Sequence, residues 1–112
     1  MSQISIHVLD ISKGKPAEGM TVILKKHNDG DATKEISRGI TNHDGRIIDL
    51  AREFSLNQRV YEIIFEIDSY FAREEKECFY PRVSILFKLS EGENYHIPLL
   101  LSPFGYSTYR GS

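Results

Sequence analysis

Hydrophobic and polar residues alternate with a period of two along most of this chain, and clusters of Gly, Pro, Asn and Asp cut the alternation into short runs. That pattern belongs to short strands that each bury one face, and it predicts an all-β sandwich. In the first run Ile4, Ile6 and Val8 share one phase, and Ser5, His7 and Leu9 share the other. KGKPAEGM is a turn-rich connection to the apolar run Val22 to Leu24, and HNDGDAT reads as an exposed loop. KEISRGIT is a weaker strand; TNHDGR closes it with Asp44-Gly45, a turn dipeptide that puts Arg46 just past a tight bend. In the central strand Tyr61, Ile63, Phe65 and Ile67 alternate with Glu62, Ile64, Glu66 and Asp68.

One segment breaks the period. DSYFAREEKE is rich in helix formers and offers Asp68 or Ser69 as an N-cap, so it predicts one short helix, ended by CFYP. Alternation then resumes, with Val83, Ile85, Phe87 and Leu89 set against Arg82, Ser84, Leu86 and Lys88. SEGEN turns the chain into NYHIPLLLS, where Tyr95, Ile97, Leu99 and Leu101 face one way and His96, Pro98 and Leu100 the other. GYSTYR forms the last strand. A terminus so dense in aromatic rings and carrying a guanidinium reads as a strand held in place, although chain ends usually fray.

Composition narrows the class. The 112 residues suffice for one domain, 1–112, with a single core. Lys plus Arg number 14 against 16 for Asp plus Glu, so the net charge of -2 offers no global attraction for nucleic acid or an anionic membrane. The single Cys78 cannot build an internal disulfide framework and fits a reducing compartment. MSQISIHVLD lacks a basic segment followed by a long apolar run, and no stretch approaches a membrane span. The expected location is cytoplasmic.

Candidate chemistry centres on His7 and His96, each of which lies off the more apolar phase of its strand. Their faces also carry Leu9, Pro98 and Leu100, which suits a covered surface lining a groove; ordinary exposed histidines fit the same pattern. No His-x-x-x-His or Cys-x-x-Cys pair provides metal-ligand spacing, so no metal or cofactor is expected. Cys78 sits beside Phe79 and Tyr80 as a packing residue, while His27 and His43 fall at loops and read as solvent-exposed. Gly-x-Ser-x-Gly elbows and phosphate-binding glycine loops are absent. Arg46 and Arg110 are solvated charges if taken singly. Together with two imidazoles they supply what an anionic heterocycle requires, namely planar forks for oxygen atoms and a base that is neutral near pH 7.

The segments HVLD, KGKPAEGM, GITNHDGR, FEIDSYF, FYPRVSILF and especially YHIPLLLSPFGYSTYRGS resemble the transthyretin-like family over nearly the whole chain, and within it the 5-hydroxyisourate hydrolases of purine catabolism. The terminal Tyr109, Arg110, Gly111 and Ser112 match the hydrolase signature, and His7, Arg46 and His96 occupy the other active-site positions. Two departures stand out: Ile6 precedes His7 where a small hydroxyl residue is usual, and Asn94 replaces a second histidine two places before His96. The resemblance implies a two-sheet Greek-key sandwich of the transthyretin (prealbumin) type, with seven to eight strands and one short helix. It further implies a homotetramer, a dimer of dimers, with the site in the channel between dimers.

The implied reaction is metal-free hydrolysis of 5-hydroxyisourate to 2-oxo-4-hydroxy-4-carboxy-5-ureidoimidazoline in urate degradation. His7 and His96 would serve as base and proton relay and Arg46 as the fork for substrate oxygens and developing charge. Tyr109 and Arg110 would hold the ring or the imidazoles, and the carboxylate of Ser112 would orient a histidine. The alternative the family allows is a non-enzymatic carrier using the same channel. Such a carrier would favour aliphatic and small hydroxyl residues at the positions of His7, His96 and Tyr109.

Overall fold

Strict alternation of burial along the first strand sets the architecture, because Ile4, Ile6, Val8 and Asp10 are buried while Ser5, His7 and Leu9 are only partly covered. In the computed structural model, which describes residues 2–27, 33–52, 54–57 and 59–112, two sheets enclose one core. Along the chain run β1 (Ile4–Asp10), β2 (Lys15–Pro16), β3 (Thr21–His27), β4 (Thr33–Ile40), β5 (Arg46–Ile47) and β6 (Val60–Glu66). They are followed by α1 (Ile67–Arg73), β7 (Arg82–Lys88), β8 (Tyr95–Ser102) and β9 (Gly105–Thr108). One sheet has the order β2-β1-β8-β9 with β5 also paired to β1; the other is β4-β3-β6-β7. Ile4, Ile6, Val8, Leu99 and Leu101 of the first sheet meet Val22, Leu24, Tyr61, Ile63 and Phe65 of the second in the core.

The expected sandwich and its single helix are present. Two of the nine β elements among the described residues, β2 and β5, are two-residue pairings beyond the seven to eight strands expected. Most of the HNDGDAT loop lies outside the described residues. His27 belongs to the end of β3 and is partly covered there, with Nε2 2.9 Å from Glu62 Oε1. His43 is exposed, as its turn suggested.

The helix starts one turn-fraction earlier than its composition indicates and stops sooner, with Glu66 at the N-cap. Neither Asp68 nor Ser69 is needed as a cap, because the Ile67 and Asp68 N–H groups both donate to the Pro81 carbonyl, at 3.1 and 2.9 Å. Ile67, Tyr70 and Phe71 form its buried stripe; Glu74 and Glu75 would continue that stripe with charge, and the chain leaves the helix there with Glu75 at φ 57°. The Tyr70 hydroxyl donates to Asp10 Oδ2 at 2.8 Å and so ties the helix to the end of β1.

Candidate active site

The outer face of the β1–β8 pair carries both candidate histidines. These strands run parallel, with Ser5 opposite His96 and His7 opposite Pro98, while β5 places Arg46 opposite His7 from the other side. Arg46 reaches this position because the chain reverses at Gly45, where φ is 72°. A Cβ at Gly45 would lie 2.3 Å from the Val8 carbonyl oxygen, so only glycine allows the bend to press this closely against β1. The Asn42 side chain braces the same bend, accepting from the N–H groups of Asp44 at 2.9 Å and Arg46 at 3.0 Å.

The two imidazoles face each other with ring centroids 6.4 Å apart and planes tilted by 35°. Partial burial, the Arg46 guanidinium and His96 all disfavour a charge on His7 and hold its pKa below the ordinary 6.5; a hydrogen bond to the Asp44 backbone and the Asp44 carboxylate act more weakly in the opposite sense. His7 is therefore a neutral ring at neutral pH. If turnover requires that neutral ring, the acidic limb of the kcat/KM profile is expected below 6.5, and a limb clearly above that value would exclude His7 as the titrating group.

His96 is held at three points. Its Nδ1 is 2.8 Å from Ser5 Oγ. Its carbonyl accepts from Gly111 N–H at 2.8 Å, and Gly111 packs so tightly on the imidazole that an added Cβ would lie 2.5 Å from Cδ2. This isolated bridge between Gly111 and His96 explains the ordered tail: β9 itself ends at Thr108, short of the full GYSTYR run, and the chain then rejoins the sheet at Gly111.

Beside these rings opens a cleft of about 270 Å³, lined among others by Ser5, Arg46, Asn94, His96, Gly111 and Ser112. His7 stands next to it rather than in its lining. Tyr109 and Arg110 line a different cavity, of about 350 Å³, together with Phe87, Tyr95 and Ile97. Arg110 points there because its guanidinium lies over the Tyr95 ring, 4.5 Å from the centroid. Within one chain, then, Arg46, His96 and Ser112 gather at the cleft with His7 adjacent, while Tyr109 and Arg110 are separate from them.

Ser5 was legible only as a residue on the same face as His7, and its bond to His96 went unanticipated. Asn94, a departure from the family pattern, fixes the strand start instead, its Oδ1 accepting from Gln3 N–H at 3.0 Å. Cys78 is protonated at neutral pH: burial, with Asp68 accepting from its Sγ at 3.1 Å, pushes the thiol up to about 11. Among the described residues no three His, Cys, Asp or Glu side chains are placed to share a metal ion, and no helix is long and apolar enough to cross a membrane.

Residues 4–111 match the model of the HIUase/Transthyretin family. The 5-hydroxyisourate hydrolase of Salmonella dublin is 42% identical over 97% of this chain and 80% of its own length. Among solved structures, the 5-hydroxyisourate hydrolase of Klebsiella pneumoniae superposes with a TM-score of 0.86 at 38% identity, covering 100% of this chain and 94% of that one. A sea bream transthyretin in complex with thyroxine superposes with a TM-score of 0.91 at 27% identity, covering 97% of this chain and 94% of that one. Backbone similarity thus favours the transthyretin slightly and sequence identity the hydrolases. Since one fold serves different functions, side chains rather than the backbone must discriminate.

Proposed function

Since this chain belongs to the HIUase/Transthyretin family, we propose that it is a 5-hydroxyisourate hydrolase. The observation that carries this reading is the pair of facing imidazoles with the Arg46 guanidinium opposite one of them. A carrier of an apolar ring has no use for a histidine kept neutral by burial and a neighbouring cation. A hydrolase does, because proton transfer at neutral pH needs unprotonated imidazoles beside a positive charge that stabilises a developing oxyanion.

In the proposed reaction water attacks an acyl carbon of the substrate ring. His96, with His7 as relay partner, takes a proton from that water; the ring C–N bond opens, and the proton returns to the departing nitrogen. Arg46, charged at any working pH, binds the oxygen on which charge develops. Ser112 lies at the same cleft and contacts the bound ring.

Tyr109 and Arg110 contribute as substrate-binding residues once copies of the chain assemble as a dimer of dimers, in which the face carrying His7, Leu9, His96 and Leu100 is covered. That the Leu9 and Leu100 side chains share this outer face supports such an assembly. The proposed compartment is the cytoplasm, where the lone thiol of Cys78 stays reduced.

The test is optical. With 5-hydroxyisourate freshly generated from urate, the purified protein is expected to accelerate loss of the substrate's absorbance well above the spontaneous rate. Decay at the spontaneous rate, with the ligand bound but unaltered, would favour the carrier.

A further inference from the structure

We propose that Ser5 is a positioning residue for His96: its hydroxyl holds the imidazole in the tautomer protonated at Nδ1, so that the Nε2 lone pair is the one available to reacting water. This rests on the hydrolase reading and adds to it which nitrogen does the work and what selects it.

Two contacts carry the assignment. Ser5 Oγ lies 2.8 Å from His96 Nδ1 and 3.4 Å from the Tyr95 carbonyl oxygen. A carbonyl can only accept, so the one arrangement that makes both contacts hydrogen bonds, the longer a weak one, points the single hydroxyl proton at Tyr95 and leaves the oxygen lone pair to accept from Nδ1–H. The nitrogen that is fixed in this way fixes the other one too. Nε2 has no hydrogen-bond partner among the described residues, and His96 borders the cleft.

The same hydrogen-bond direction serves both charge states of the ring. When the O–H bond of water breaks and its proton passes to Nε2, the oxygen's electron pair bonds to the acyl carbon and the carbonyl π pair moves onto its own oxygen, where Arg46 meets the charge. That pair then re-forms the C=O as the ring C–N bond breaks, and the nitrogen takes the C–N electrons and recovers the proton from Nε2. Nδ1–H stays on Ser5 Oγ throughout, so no hydroxyl has to turn during the transfer, which is the preorganisation that lowers a barrier. β1 and β8 keep the pair in place, since Ser5 and His96 are opposite one another in the parallel register.

The experiment combines kinetics with nitrogen NMR. Ser5→Ala is expected to lower kcat about tenfold, a fraction of what a positioned base supplies, with KM held within about twofold. Ser5→Thr, which retains the hydroxyl, is expected to restore most of the loss. In uniformly 15N-labelled wild-type protein at about pH 8, where an ordinary imidazole is neutral, the His96 signals, identified by their absence in His96→Gln, should show Nδ1 protonated and Nε2 bare. Nε2 protonated in the wild type would overturn the proposal, as would an unchanged kcat in Ser5→Ala or an equal loss in Ser5→Thr. Should the wild-type protein fail to accelerate hydrolysis, the hydrolase reading falls, and the nitrogen signals still decide for or against Ser5.

Discussion

Replacing His96 with glutamine is expected to slow hydrolysis of 5-hydroxyisourate by about a hundred- to ten-thousandfold, the range that a positioned general base contributes. Glutamine keeps a planar amide that can bond to Ser5, but it has no basic lone pair, so the proton of the attacking water has no acceptor at that point. The fold should survive. His96 is on the outer face of its sheet and only partly buried, and the bridge from Gly111 N–H uses its backbone carbonyl, which the substitution leaves in place. The most that is lost structurally is the Ser5 hydrogen bond, about 1 kcal/mol. Circular dichroism and the thermal midpoint should therefore stay close to the wild type while turnover collapses. Turnover within a few-fold of the wild type would transfer the role of base to His7, whose depressed pKa already keeps it neutral.

Much of this arrangement was open to reading in advance because burial in a sandwich follows the strand period. Ile4, Ile6 and Val8 fall in the core and His7 outside it for the same reason that their phases differ. Arg46 could be placed at a bend because Asp44-Gly45 is a local signal. What could not be read is contact across distance. The parallel pairing that sets Ser5 against His96 joins positions 91 residues apart, and register over such a span is decided by how two hydrophobic faces meet. The helix start was misplaced for a related reason: its cap is the Pro81 carbonyl, supplied by the chain after it has left the helix. Ile6 leaves no hydroxyl next to His7 in sequence, while Ser5, which alternation puts on the same face as His7, carries one that reaches His96. Arg110 was expected at the histidines because it belongs to the terminal signature that the family resemblance carries; stacking on Tyr95 turns it toward the other cavity.

Gly111→Val is the substitution expected to show what the tail does. The glycine sits where a Cβ would lie 2.5 Å from His96 Cδ2 and 3.3 Å from both His96 Cγ and the His96 carbonyl oxygen. Such a clash has two ways out. Either the imidazole swings away and gives up Ser5, or the tail lifts and takes Ser112 from the cleft and Arg110 from Tyr95. Either displacement is of the order of an ångström, which can cost about a hundredfold in rate. The kinetics should tell the two apart, because a displaced base lowers kcat at nearly constant KM, whereas a lifted tail raises KM as well. The core lies on the opposite side of β8, so thermal stability should change little. A Gly111→Val protein that turns over like the wild type would show that the chain beyond Thr108 packs on His96 without serving it, and the ordered tail would then need an explanation outside catalysis.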